Sequence, residues 1–131
     1  MGITSVLLDT HVVLWALMEP ERLSSKARRT IEAMETELWI SAASAWELAI
    51  KFRAGKLPEA GAAVTGYEEH LRRLGATELP ISSKDALQAG LFTHQHRDPF
   101  DRMLAAQSMI RQLPLITQDE AFAQFPVTVL W

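Results

Sequence analysis

The chain has 131 residues, a formal net charge of −3, 48% hydrophobic and 22% charged residues, six glycines, six prolines and no cysteine. Those values describe one ordinary globular domain, 1–131, and exclude a disordered or collagen-like chain, a disulfide scaffold and any thiolate metal site. Charges interrupt every apolar run before the roughly 18–20 residues that a bilayer span needs, no basic segment leads into an apolar one at the start, and Val6 stands where a myristoylation signal wants Ser or Thr; no membrane association and a cytoplasmic location are therefore expected.

Residues 3–8, rich in branched apolar side chains without polar alternation, predict a strand buried on both faces that ends at Asp9-Thr10. A short helix over 12–18 and a turn at Glu19-Pro20 follow, then a helix from Ser24 or Ser25 to about Met34 with Ala27, Ile31 and Met34 on one face. Leu38 to Ile40 predict a second strand. Between Ala42 and Ala54 the positions Ala45, Leu48, Ala49 and Phe52 keep i, i+3, i+4, i+7 spacing, widened by Trp46 and Ile50, with Gly55 as the C′ residue. The polar strip of this helix carries Ser44, Glu47 and Lys51. Helices over 62–74 and 83–91 flank a strand over 78–81. Asp98-Pro99 opens a helix to about Gln112, since Asp caps well and Pro suits the first helical position. Strands over 115–117 and 127–130 complete the order.

Strands separated by helices throughout imply an α/β fold with a mostly parallel sheet covered on both faces. In such sheets the ligand crevice lies beyond the carboxyl ends of the strands, where strand order reverses. Asp9 ends the first strand, Asp119 follows the 115–117 strand, and Asp101 lies in the first turn of the helix leading into that strand. If those two strands are neighbours, the three acids share one edge.

Each acid except Asp9 also has a structural explanation. Asp98 reads as a helix cap, Asp101 as an acid favoured by a helix dipole, and Asp119 as a cap for 120–124. Glu47 fits a Ser44-x-x-Glu47 capping box and an ion pair with Lys51. Asp9 differs, because a carboxylate directly after a buried strand is costly without a compensating partner, and a cation is a natural one. Carboxylates in an open crevice suit Mg²⁺, a hard ion that keeps several waters. His11 is expected to turn into the first helix, and His94 and His96 read as a loop or packing pair; the four histidines do not form a zinc set. Trp15, Trp39, Trp46 and Trp131 are expected mainly in the core.

Four blocks resemble a known family: Leu7-Leu8-Asp9-Thr10-His11 with Leu14-Trp15, Ser44-Ala45-Trp46-Glu47-Leu48, His96-Arg97-Asp98-Pro99-Phe100-Asp101-Arg102, and Thr117-Gln118-Asp119-Glu120-Ala121-Phe122. Together they are similar to the PIN-domain nucleases, specifically VapC-type toxins of bacterial toxin–antitoxin pairs. The resemblance implies a three-layer α/β/α sandwich and a Mg²⁺-dependent endoribonuclease, with Mn²⁺ as a substitute ion. It assigns the metal and catalytic positions to Asp9, Glu47, Asp101 and Asp119, with Asp98 as an auxiliary candidate. It further implies an RNA substrate, a VapB-like antitoxin partner and a homodimer. Four acids in one crevice repel one another, so at least one is expected to hold its proton more tightly than usual.

The acidic net charge speaks against a nucleic-acid partner at first sight. With those four acids neutralised by metal, however, 13 basic residues face the remaining 12 acidic ones, a balance of +1. The basic residues also cluster, as Arg22, Lys26, Arg28 and Arg29 and as Lys51, Arg53 and Lys56; solvated helix faces would read the same way. Two rival functions stand beside the nuclease. A non-catalytic PIN-like module binding nucleic acid or protein keeps the fold without the chemistry. A phosphatase with Asp9 as nucleophile is disfavoured, because His11 occupies the place of its usual second Asp.

Overall fold

In the computed structural model, which describes residues 4–93 and 96–131, Val6, Leu7 and Leu8 of strand β1 (Ser5–Leu8) are all fully buried. Ile3 of the expected opening strand and His94 of the expected histidine pair lie outside the described residues. The burial of β1 follows from its position. It is the middle strand of a five-stranded sheet whose other members are β2 (Glu37–Ser41), β3 (Ala76–Leu79), β4 (Leu115–Ile116) and β5 (Val129–Leu130), in the order β3-β2-β1-β4-β5. Every neighbouring pair is parallel, with Leu7 beside Trp39 on one side and beside Leu115 on the other.

Because strand side chains alternate between faces, consecutive residues of β1 serve different cores. Val6 and Leu8 join Leu38, Ile40 and Ile116 in one, covered by helices α1 (Thr10–Met18), α2 (Ser25–Glu32), α3 (Ala42–Arg53), α4 (Ala60–Val64) and α5 (Tyr67–Leu74). Leu7 and Leu115 join the other, with Leu104 and Ala105 of helix α7 (Pro99–Arg111) and with Phe122 and Phe125. Helix α6 (Ser83–Leu91) packs on α7. This is a three-layer α/β/α sandwich, and the sheet is wholly rather than mostly parallel.

Several boundaries differ from the sequence expectation. Helix α1 begins at Thr10 rather than residue 12, because Asp9 itself is its N-cap. The helix expected over 62–74 is two, divided at Gly66, whose φ of 68° is left-handed and costs a glycine little. Strand β3 lies at 76–79 rather than 78–81. It starts directly after Gly75 ends α5, and Pro80, lacking an N–H, cannot extend the ladder. Residues 127 and 128 precede β5 rather than belonging to it.

An ionic strut fastens α6 to α7. Asp85 of α6 is fully buried and accepts hydrogen bonds from both arms of Arg111, at 2.7 and 3.1 Å, and from Gln107 Nε2 at 3.2 Å. It also completes a capping box with Ser82. Burial alone would raise this carboxyl, but the bonds from Arg111, the Ser82 backbone and Gln107 outweigh it and hold it at about 2.

Candidate active site

Strand order reverses between β1 and β4, which are neighbours, so the crevice expected of a parallel sheet lies beyond Leu8 and Ile116. The first residue beyond β1 is Asp9, which is buried with 6% of its surface exposed. One of its oxygens caps α1 by accepting the Thr10 N–H at 2.7 Å; the other accepts the Thr117 hydroxyl, also at 2.7 Å. Asp9 therefore has a capping role, like Asp98 and Asp119. Burial nonetheless raises its carboxyl, against the Thr117 and Thr10 hydrogen bonds and the charge of His11.

Glu47 does not belong to a capping box. Helix α3 is capped by Ser41, whose hydroxyl accepts the Ala43 N–H at 3.0 Å, which leaves Ser44 inside the helix. Ser44 turns instead toward α1 and shares a 3.0 Å hydrogen bond with the Thr10 hydroxyl. Glu47, one turn from the helix start, is 3% exposed. Its Oε2 is bonded to Lys51 Nζ, as the i, i+4 spacing expects. Its Oε1 is buried and, among the described residues, has no hydrogen-bond partner.

Asp98 caps α7 through the N–H groups of Phe100 and Asp101, at 2.8 and 3.2 Å. Held on that first turn, Asp101 shares a 2.8 Å hydrogen bond with His96 Nε2. Burial pushes the Asp101 carboxyl up to about 7 against the His96 bond, and the negative charges of Asp98, Asp9 and Glu47 add to the rise. Lys51 feels the same acids. Burial disfavours its charge, but the Glu47 bond and the charges of Glu47, Asp98 and Asp101 together raise its pKa. Asp101 thus feels the charges of Asp98, Asp9 and Glu47, and Asp9 feels that of Glu47.

Asp119 sits differently. It is exposed and caps the 3-10 turn Glu120–Gln124, accepting the Ala121 N–H at 2.9 Å. Its link to the other acids runs through Thr117, whose hydroxyl oxygen accepts the Asp119 N–H at 3.0 Å while donating to Asp9. Asp9 and Asp119 share an open cleft of about 530 Å³. Among the described residues, no three His, Asp or Glu side chains form a ready-made chelate. The side chains are engaged with protein donors: Glu47 with Lys51, Asp101 with His96, and Asp119 with its own turn.

The donor chemistry fits a hard divalent ion. The candidate ligands are all carboxylates, one buried oxygen of Glu47 lacks a partner, and two carboxyls hold protons more tightly than normal. Sequence reasoning missed His96 as a partner of Asp101 and missed the Thr10, Ser44 and Thr117 hydroxyls that brace the site. His96 carried a signal in its place before the Asp98-Pro99 cap, and the hydroxyls stood in the motif blocks, but their partners lie on other elements that no local pattern pairs with them. Trp46, expected in the core, is 59% exposed, and its ring stands edge-on to Phe100 at 5.1 Å.

A wholly parallel α/β/α sandwich with clustered acids at the switch point of its sheet defines a class of open-sheet domain with a carboxylate crevice. The PIN-domain family model matches residues 6–127, and the chain belongs to that family. It is similar to ribonuclease VapC22 of Mycobacterium tuberculosis, with 32% identity over 133 aligned positions covering 96% of this chain and 98% of the relative. Ribonuclease VapC16 of the same organism is 33% identical over 57 positions, covering 44% of this chain and 40% of the relative. Among solved structures, VapBC2 from Rickettsia felis, bound to a DNA fragment from its promoter, matches with a TM-score of 0.65 and 14% identity over 96% of this chain and 97% of that one. A toxin–antitoxin complex from Klebsiella pneumoniae matches with a TM-score of 0.59 and 19% identity over 96% of each chain. At these identities the structural likeness establishes the fold.

Proposed function

We propose that the chain, as one PIN domain over 1–131, is a metal-dependent endoribonuclease acting as the toxin of a toxin–antitoxin pair. Asp9, Glu47, Asp101 and Asp119 are its metal-holding and catalytic residues, Asp98 is auxiliary, and Mg²⁺, replaceable by Mn²⁺, is the ion. The observation that carries this reading is the unpartnered, buried Oε1 of Glu47 beside acids whose charges act on one another. A buried acceptor without a partner is costly, and a cation relieves that cost. The names of the relatives support the choice of RNA as substrate.

A bound divalent ion would neutralise charge on the scissile phosphate and favour ionisation of a water. The protein's own contribution is placement. Thr117 and the Thr10 N–H orient Asp9, the Asp98 cap presents Asp101, and Lys51 balances Glu47 until an ion takes its place. His96, 2.8 Å from Asp101, fixes how that carboxyl is presented to the crevice.

A VapB-like antitoxin that covers the crevice and a homodimer of the toxin complete the proposal; the VapBC and toxin–antitoxin complexes among the structural neighbours support the antitoxin partner. No described helix is long and apolar enough to cross a membrane; a cytoplasmic location is part of the proposal. The test is RNA cleavage by the purified chain, freed of any inhibitor, with Mg²⁺ or Mn²⁺. Asp9→Asn and Asp101→Asn should each abolish it. Cleavage unchanged by both substitutions would overturn the proposal, and absence of both cleavage and saturable Mn²⁺ binding in the parent protein would favour a non-catalytic binding module.

A further inference from the structure

The cleft that Asp9 shares with Asp119 has two chemically different ends. One is acidic, with Glu120 beside those two carboxylates. The other is formed by His11 and Trp15, one turn apart on α1, and by Arg22 from the 3-10 turn Pro20–Arg22. A phosphodiester chain reaching the acids must pass a cation or meet net repulsion, and Arg22 is the one Lys or Arg among the residues lining this cleft.

Arg22 is positioned for that task. Its guanidinium carbon lies over the Trp15 ring, 4.7 Å from the ring centre, within cation–π range. Trp15 is itself seated, 8% exposed, with the Trp131 ring 6.0 Å away and His11 at 5.9 Å. The ion pair of Arg22 with Glu19 spans 3.7 Å between side chains that are 51% and 39% exposed, too long for a good hydrogen bond and open to solvent. Its donors therefore remain available. The cleft, at about 530 Å³, falls within the roughly 300–1,000 Å³ of sites that enclose small ligands. Exposed Lys26 and Arg29 follow on α2, so the positive character continues beyond Arg22 in the chain.

We infer that Arg22, stacked on Trp15, binds a backbone phosphate of the RNA adjacent to the phosphate at the carboxylates, and so sets the register of the strand in the cleft. A planar guanidinium suits two phosphate oxygens at once, and such a contact positions the strand without reading its bases. The inference rests on the ribonuclease reading above.

The test uses the metal-loaded chain and a single-stranded oligoribonucleotide of mixed sequence, with kcat and KM followed over a range of KCl. Arg22→Met keeps aliphatic packing on Trp15 and removes the charge. It should raise KM roughly five- to tenfold with kcat little changed, and lower the slope of log affinity against log salt by about 0.7, the increment of one single-strand phosphate contact. Arg22→Lys should restore the slope and part of the KM. Mn²⁺ affinity and melting temperature should stay near those of the parent in both variants. An unchanged KM and salt slope in Arg22→Met, beside a parent that cleaves RNA normally, would overturn the inference alone. A loss confined to kcat would also overturn it, because that would place Arg22 at the chemistry rather than at a flanking phosphate. A parent protein that neither binds nor cleaves the oligonucleotide would overturn the ribonuclease reading and this inference with it.

Discussion

Thr117 donates its hydroxyl hydrogen to Asp9 across 108 positions of sequence, and the same oxygen accepts the backbone N–H of Asp119. One hydroxyl thus joins the acid that ends β1 to the acid that follows β4, and both bonds exist because those strands are neighbours. Thr117→Val removes the donor and the acceptor while keeping the shape. It should cost about 1–3 kcal/mol of stability, since a buried carboxylate oxygen and an N–H lose their partner. Mn²⁺ affinity should fall about 10- to 100-fold, the usual consequence of losing a group that orients a metal-binding residue. Urea unfolding and Mn²⁺ titration measure the two effects separately.

If Glu47 holds the ion as proposed, Lys51 and a bound cation compete for the same carboxylate. In the metal-free protein, Lys51→Ala leaves buried Glu47 without its ammonium partner and should lower stability, and saturating Mn²⁺ should then raise the melting temperature by more than it does in the parent. Thermal melts with and without Mn²⁺ give both numbers. An equal metal-induced shift in parent and variant would mean that Glu47 does not meet the ion.

The raised carboxyl of Asp101 makes metal-free stability depend on pH in a direction opposite to that of a salt-bridged acid. The folded protein holds this proton up to about 7, whereas the unfolded chain releases it near its ordinary value of 3.8. Between those two values the folded state binds more protons, so this contribution is full below about pH 4 and is lost as pH rises through 7, at no more than about 1.4 kcal/mol per pH unit. Asp101→Asn, in EDTA, should flatten that slope and be more stabilising relative to the parent at pH 7.5 than at pH 5. Metal affinity of the parent should climb over the same interval as protons leave the site.

The Asp85–Arg111 strut behaves in the reverse sense. Its carboxyl, held at about 2, contributes stability that is present above the unfolded value and lost as pH falls from about 4 toward 2. Arg111→Ala leaves a fully buried carboxylate with only Gln107 and the Ser82 backbone, and should cost about 3 kcal/mol, the lower part of the range for breaking a buried pair because the Arg111 side chain is 31% exposed. RNA cleavage by the variant that remains folded should be unchanged, since the strut joins α6 to α7 away from the acids.

Short-range pattern was enough to order the elements, while the choice of Glu47, Asp101 and Asp119 among the acids came from the family resemblance. The apolar run before Asp9, the Asp98-Pro99 cap and the Asp119 turn are each written within a few residues and appear in the structure where they were expected. The i, i+3, i+4, i+7 spacing located α3 but not its buried face: Ala49, Ile50 and Phe52 are exposed, and Ser44 and Glu47 of the expected polar strip are buried. Local pattern failed where two local explanations competed. Ser44 and Glu47 have capping-box spacing, but Ser41 caps the helix and Ser44 bonds to Thr10 across the core. Tertiary structure alone decided what surrounds each acid: the Thr117 hydroxyl on Asp9, the charges of Asp9 and Glu47 on Asp101, and the guanidinium of Arg22 in the cleft of Asp9 and Asp119. These contacts depend on β1 lying beside β4, a pairing between strands more than a hundred residues apart in the chain that no local periodicity encodes, because it is set by how whole layers bury their apolar faces.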